Sequence, residues 1–368
     1  MPQEEVMRVV VVDDSAFMRR AIRQMLESAG DIEVAGTASN GKEGLALVQQ
    51  LRPDVVTLDI EMPEMDGLTA LSRIMRDCPT RVLMLSSLTT EGSRAALRAL
   101  ALGAADVLAK DTSQISLSIT NIQEDLIARV RALGSRRRTA RPPGPPGPAA
   151  GAGIPTQAAP VFRPGQFDVI CIGSSTGGPP VLETILTALP ATLNIPIVVA
   201  QHMPAIFTAS LAQRLATMCR LRVLHATDRM PLERRTIYIS PGGMHTHIKK
   251  VGLARWELAV SHEPAAAVYR PSVDALLASA AIAMGPRALG VVLTGMGNDG
   301  FEGGSQLHAR GGVVLGQNEE TCVVYGMPKA LTENAIVAAS LPPEKIAQSL
   351  ITLAAAAADP ISPVQRAG

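Results

Sequence analysis

Aromatic side chains are scarce in this 368-residue sequence, which has one Trp, three Tyr and five Phe. Its cores must therefore be filled by Val, Ile, Leu, Ala and Met, which favours α/β layering over an aromatic-rich β protein. An excess of one charge is lacking too: 34 Lys and Arg against 33 Asp and Glu leave a net charge of +1. Such a balance supplies no general attraction to nucleic acid or to an anionic membrane, so any partner must be recognised locally. The four cysteines (Cys78, Cys171, Cys219 and Cys322) are scattered without a CxxC pair, and reduced thiols are expected rather than a disulfide framework or a metal site. No apolar run reaches the roughly 18 residues of a membrane span. The opening "MPQEEVMR" is acidic and leads into only a short apolar run, which does not read as a signal peptide. These absences point to a cytoplasmic protein.

What is present is an alternation. From Arg8 to Leu133, short β-branched runs ("RVVVVDD", "IEVAGTAS", "DVVTLD", "RVLMLSS", "ADVLAK") alternate with amphipathic stretches. This is the pattern of a doubly wound parallel sheet. Residues 134–165 then hold eight prolines, no acid and few large apolar side chains, and such a segment cannot bury enough surface to fold. From Phe167 the α/β rhythm returns, interrupted by a hairpin pattern, "HTHIKKVGLARWELAVSH". The expected organisation is two α/β doubly wound parallel-sheet domains, residues 1–133 and 167–368, joined by a Pro/Gly/Arg-rich tether over 134–166. The second domain carries the antiparallel hairpin. A flexible coil of ~32 residues spans roughly 30 Å root-mean-square, so the domains can touch or part.

In the first domain Asp13 and Asp14 follow the first apolar run, Asp59 ends the third, Ser86 closes the fourth and Lys110 the fifth. In a parallel sheet these positions share the carboxyl edge, where doubly wound folds place their sites. Carboxylates that converge repel unless a cation lies among them, and an all-oxygen cluster suits Mg²⁺. Each acid alone is an ordinary loop residue or helix cap, whereas the ordered set is specific. It resembles the receiver domain of bacterial response regulators over residues 6–130. That resemblance implies phosphoryl transfer from a histidine kinase to Asp59, Mg²⁺ held by Asp13, Asp14, Asp59 and the backbone carbonyl of Glu61, and phosphoryl contacts from Ser86 and Lys110. Asp111 stands after Lys110 where the family commonly has proline.

The second domain opens with "GSSTGG", Gly173 to Gly178, directly after the strand pattern "FDVICI". A dinucleotide site wants GxGxxG and an acid ending the second strand, but here the second strand ends in "QH". Gly173, Ser175 and Gly177 instead fit GxSxG, in the strand, turn and helix setting that presents a serine hydroxyl. A serine nucleophile needs a base, and the base an orienting acid. His202 follows the apolar strand "IPIVVAQ", and Asp299 lies in the glycine-rich loop after "LGVVLTGMGN", so three strand ends bring Ser175, His202 and Asp299 to one rim. Taken singly, His202 is as readily a packed histidine and Asp299 a turn residue. The order Ser, His, Asp excludes the α/β-hydrolase fold, and His245 and His247 lack evident further ligands for a metal.

The blocks "IGSSTGGP", "AQHMP", "SPGGMH", "RPSVD", "LTGMGNDG" and "QNEETCVVYGMPKAL", behind a receiver and a Pro-rich tether, resemble the CheB protein-glutamate methylesterase family over nearly the whole chain. Ser174 stands where alanine is usual, and "EPAAAVYRPSVD" lacks the usual glycine and prolines. The resemblance implies hydrolysis of glutamate γ-methyl esters on methyl-accepting chemotaxis receptors and deamidation of receptor glutamines, with oxyanion donors at the Thr176 and Met296 N–H groups. It implies no cofactor in the esterase site, a chemotaxis histidine kinase as phosphodonor and a monomeric protein. A second domain that only binds a partner would be the alternative, but it gives no reason for an intact Ser, His, Asp set. A DNA-binding output would need a helix-turn-helix or basic recognition helix that is not evident. The unphosphorylated receiver is expected to lie across the catalytic rim.

Overall fold

The computed structural model describes residues 6–110, 118–135, 159–252 and 255–354. Asp111 and most of the Pro-rich segment lie outside them. The first unit runs β1 (Met7–Val12), α1 (Ala16–Glu27), β2 (Ile32–Ala38), α2 (Gly41–Leu51), β3 (Val55–Asp59), α3 (Gly67–Asp77), β4 (Arg81–Ser87), α4 (Thr90–Ala101), β5 (Asp106–Lys110) and α5 (Ser118–Gly134). Its five strands are parallel in the order β2-β1-β3-β4-β5. Val9 to Val12 of β1 are fully buried because helices cover both sheet faces. Side-chain caps start the helices: Ser15, Asn40, Asp66 and Thr89 each accept a hydrogen bond from the N–H three residues on.

The second unit has a parallel sheet in the order β15-β14-β13-β6-β7-β10-β8. Its elements are β6 (Val169–Ser174), α6 (Gly178–Ala188), β7 (Ile197–Gln201), α7 (Ala205–Met218), β8 (Arg222–His225), β9 (Met230–Pro231), β10 (Thr236–Ile239), β11 (His245–Val251), β12 (Arg255–Ser261), α8 (Val273–Met284), β13 (Ala288–Val292), α9 (Phe301–Ala309), β14 (Val313–Gln317), α10 (Met327–Glu333), β15 (Ala339–Leu341) and α11 (Pro343–Ile351). The chain leaves β6 towards β7 on one side and returns as β13 on the other. The crevice beyond β6 and β13 is therefore a switch point, the usual ligand position in such sheets. The expected hairpin is β11 and β12, paired antiparallel from His245↔Ser261 to Val251↔Arg255, and β9 adds a third strand. None of the four cysteines is in a disulfide. No helix among the described residues is long and apolar enough to cross a membrane.

The last residues read as tether are anchored in the structure. Phe162 is buried edge-on against Phe167, with ring centroids 5.2 Å apart, and its N–H donates to Thr352 Oγ1 at 2.9 Å. A single aromatic in a proline-rich context carries no periodic signal, so sequence pattern alone could not place it.

Candidate active site

On the first sheet's carboxyl edge, Lys110 Nζ lies 2.7 Å from Asp13 Oδ2 and 2.7 Å from Asp59 Oδ2. Ligand oxygens of Asp13, Asp14 and Asp59 all fall within 4.8 Å of one another, the one such grouping of His, Cys, Asp or Glu among the described residues. Asp13 and Asp59 are buried and Asp14 is exposed. Burial pushes the Asp59 carboxyl above its ordinary pKa; Lys110 opposes this and Asp13 adds to it. Three acids with one ammonium leave a negative pocket of hard oxygens, a donor set that fits a small divalent cation. Glu61 is exposed, two residues past Asp59. Ser86 is buried, and its hydroxyl donates to the Gly92 carbonyl at 3.0 Å, in the first turn of α4.

On the second sheet's carboxyl edge, the turn between β6 and α6 depends on its glycines. A Cβ on Gly173 would lie 2.2 Å from Val273 Cγ1, and Gly177 adopts φ +76°, a region L side chains rarely occupy. The two serines between them diverge. Ser174 is fully buried and donates to Gln201 Oε1 at 2.6 Å, whereas Ser175 lies at the rim, 8% exposed. The Ser175 N–H donates to the Thr294 carbonyl at 3.0 Å, and the Ser175 carbonyl accepts from Gln201 Nε2 at 2.9 Å.

His202 follows β7, its N–H bonded to the Ser174 carbonyl at 3.0 Å. Its Nε2 lies 2.7 Å from Asp299 Oδ2, while its buried Nδ1 has no partner. Asp299 Oδ1 accepts from Ser272 Oγ at 3.0 Å and from the Asp274 N–H at 2.9 Å, and Oδ2 accepts from the Val273 N–H at 2.7 Å. Ser272 caps α8, so the carboxylate sits at the positive end of a helix. Burial works to raise the Asp299 pKa, but the hydrogen bonds from His202, Asp274 and Val273 outweigh it and hold the carboxyl below its usual range. Thr294 Oγ1 donates to the Thr176 carbonyl at 2.9 Å, joining the turn after β6 to the loop after β13. Among the described residues, the N–H groups of Thr176 and Met296 on these two loops donate to no protein acceptor. His245 and His247 have ring centroids 6.4 Å apart and, among the described residues, are in no grouping of metal-ligating type.

The CheB methylesterase family model matches residues 170–350, and the response regulator receiver domain matches residues 9–120. A protein-glutamate methylesterase/protein-glutamine glutaminase 1 of Oleidesulfovibrio alaskensis is 45% identical, with 94% of this chain and 99% of that one covered. The chain belongs to the CheB methylesterase family. A second relative, the protein-glutamate methylesterase/protein-glutamine glutaminase 2 of Nitratidesulfovibrio vulgaris, is 46% identical over 88% of this chain and 93% of its own length. The crystal structure of the Thermotoga maritima CheB methylesterase catalytic domain is 39% identical, covers 51% of this chain and 98% of that one, and has a TM-score of 0.49.

In this CheB methylesterase family member the two units are in contact. Thr176 Oγ1 donates to Asp106 Oδ2 of β5 at 2.6 Å. Asp106 also pairs with Arg129, whose Nε lies 2.7 Å from Asp125 Oδ1. Ser93 of α4 and Ser210 of α7 share a hydrogen bond of 2.6 Å, and Leu97 and Leu100 of α4 join one buried cluster with Phe207 and Leu211 of α7. Between the units lies a cleft of about 520 Å³, lined by Asp106, Asp125 and Arg129 on one side and His202, Met203 and Tyr269 on the other. Asp106, Gln201, Tyr269 and Asp274 were missed by sequence reasoning. Asp274 and Gln201 had a signal, their places in the "RPSVD" and "AQHMP" blocks; Asp106 and Tyr269 are ordinary residues of strand and loop whose partners are distant in the chain.

Proposed function

We propose that the chain hydrolyses glutamate γ-methyl esters on methyl-accepting chemotaxis receptors, and deamidates receptor glutamines at the same site, under control of phosphorylation at Asp59. The observation that carries this reading is the divided imidazole of His202: Nε2 is committed to Asp299, and the orphaned Nδ1 is left to receive a proton. With the ring proton on Nε2 and donated to Asp299, Nδ1 is basic and accepts the Ser175 proton as Oγ attacks the ester carbonyl carbon. The resulting oxyanion is bound by the N–H groups of Thr176 and Met296, and losing one such donor costs about 3 kcal/mol of barrier. The C–O bond to the methoxy group breaks, methanol leaves with the proton from Nδ1, and water then cleaves the acyl-serine by the same proton path. For a glutamine substrate ammonia leaves instead.

The first unit, residues 1–133, acts as the receiver, 134–166 as the tether and 167–368 as the hydrolase. A chemotaxis histidine kinase supplies the phosphoryl group. Asp13, Asp14, Asp59 and the Glu61 carbonyl would hold Mg²⁺, which when bound neutralises charge on the incoming phosphoryl oxygens; Lys110 and Ser86 hold those oxygens afterwards. The protein is a cytoplasmic monomer that binds no nucleic acid and works at the membrane through its receptors. The closed arrangement, with Asp106 bonded to Thr176 beside the nucleophile, is the inhibited form. The test is methanol release from methyl-labelled receptor membranes with a small-molecule phosphodonor. Ser175→Ala is expected to lower the rate by several orders of magnitude, roughly as loss of a serine nucleophile does elsewhere, and Ser174→Ala to keep most of it. An active Ser175→Ala protein would refute the mechanism.

A further inference from the structure

The hydrogen bond to Asp299 fixes only one point of the His202 ring. An imidazole held at Nε2 alone can still tilt about that bond, and each tilt swings Nδ1 towards or away from the serine. A second restraint is present on the ring face. Tyr269 stacks on His202 with centroids 4.5 Å apart and planes 9° from parallel. The tyrosine is half-buried, and the His202 side chain beneath it is 7% exposed.

Tyr269 is well anchored for this task. It stands three residues before Ser272, so the segment that stacks on the base continues directly into the Ser272, Val273 and Asp274 donors that hold the acid. At its other end the phenol meets the loop after β13: a Cβ on Gly297, next to Met296, would lie 2.8 Å from the Tyr269 hydroxyl oxygen. One ring therefore spans from the imidazole to the loop that carries a proposed oxyanion donor. A glycine at φ +77° lets that loop pass the phenol.

We propose, building on the triad reading above, that Tyr269 is a positioning residue for catalysis: its ring face sets the plane of His202 so that Nδ1 faces Ser175 while Nε2 stays on Asp299. It touches no reacting atom. The aromatic face is what matters, and the hydroxyl is dispensable.

The test uses the full-length chain, saturated with a small-molecule phosphodonor and Mg²⁺, on methyl-labelled receptor membranes. Tyr269→Leu is expected to lower kcat about 10- to 100-fold with KM little changed, the scale of loss from misplacing a catalytic group by about 1 Å. Tyr269→Phe restores kcat to within about threefold of the native enzyme, since it keeps the stack. The imidazole protons of His202, identified by their absence from His202→Ala, should resonate upfield under the ring current in the native and Tyr269→Phe proteins and move downfield in Tyr269→Leu. If Tyr269→Leu fails to fold by circular dichroism, Tyr269→Met replaces it, and native imidazole signals without an upfield shift would alone refute the stack. A phosphorylated Tyr269→Leu enzyme as fast as native, with His202→Ala inactive, overturns the role of Tyr269 and leaves the triad standing. So does a loss confined to KM, or a Tyr269→Phe as slow as Tyr269→Leu. A fully active His202→Ala overturns the triad itself, and the positioning role with it.

Discussion

At the scale of single residues, the rim is organised by two neighbouring carboxyls of opposite electrostatic character. Asp299 takes its hydrogen bonds from an imidazole, a hydroxyl and two backbone N–H groups, and its pKa falls. Asp274 is pushed up to about 6, chiefly by burial and also by nearby Asp299, although the Gly303 and Gly300 N–H groups favour its ionised form. The two have opposite linkage to folding. For Asp274 the folded protein holds its proton up to about pH 6, while the unfolded chain releases it near 3.8. Between those values the folded state binds more protons, so this group makes stability fall as pH rises from about 4 to 6 and adds no slope above. Asp299, with its lowered value, contributes stability above its unfolded pKa and loses it as pH drops through the folded one, below that window. An Asp274→Asn variant keeps an acceptor for the Gly300 and Gly303 N–H groups. Its Tm is therefore expected to decline less than that of the native protein between pH 4 and 6; parallel profiles would mean Asp274 does not titrate there. Little of this was legible beforehand. That Ser175, His202 and Asp299 share an edge follows from the parallel-sheet rule, because each lies in the turn or loop that follows an apolar strand. That Ser174 faces inward to Gln201, and that Asp274 takes up the backbone of the Asp299 loop, depends on side-chain direction and tertiary packing.

At the scale of elements, β5 and α4 each link the pocket of Asp13, Asp59 and Lys110 to the rim that carries Ser175, His202 and Asp299. Strand β5 carries Lys110, paired with Asp13 and Asp59, at one end and Asp106, bonded to Thr176, at the other. Helix α4 receives the Ser86 hydroxyl at Gly92, and the next residue, Ser93, bonds Ser210 of α7. A phosphoryl group on Asp59 adds about −1.5 to −2 charge and competes for both Lys110 and the Ser86 hydroxyl. The bonds that shape the two elements are thus the ones phosphorylation would redistribute. A charge-assisted hydrogen bond contributes ~1.5–3 kcal/mol, so Asp106→Ala is expected to raise the unphosphorylated methylesterase rate about tenfold or more and to leave the phosphodonor-stimulated rate nearly unchanged. Arg129 keeps Asp125 as partner in that variant. An unstimulated rate equal to the native one would remove the Asp106 to Thr176 bond from the inhibitory contact. In the sequence Asp106 is simply the second residue of "ADVLAK", and its hydroxyl partner lies 70 residues away. The larger elements were readable from their apolar runs and glycine turns, whereas β9 and β15, of two and three residues, are too short to show a period.

At the scale of the whole molecule, the question is why a receiver unit is joined to a hydrolase through a long proline-rich segment of the sequence. The described contacts are modest: two interdomain hydrogen bonds of 2.6 Å, the apolar packing of α4 on α7, and Val323 and Val324 against the receiver core. Joined by ~30 residues, two units stay at roughly millimolar effective concentration, so a weak contact is enough to keep the rim covered. A shift of only about 1.4 kcal/mol in that contact changes the closed-to-open ratio tenfold. On one face of its sheet the hydrolase has a buried core, from Val169 and Cys171 to Leu307 and Met327, that includes no receiver residue among the described ones, while the core on the other face is continuous with α4 of the receiver. Removing residues 1 to 150 should leave the hydrolase folded while uncovering Thr176, Ser175 and the cleft beside Tyr269. Three initial rates on the same receptor membranes decide the matter: untreated full-length protein, phosphodonor-treated protein and the truncated protein. The truncated form should exceed the untreated one, and Asp59→Asn in the full chain should abolish stimulation. If truncation brings no gain, the receiver is no cover, and phosphorylation must act by completing the catalytic site or by recruiting the receptor.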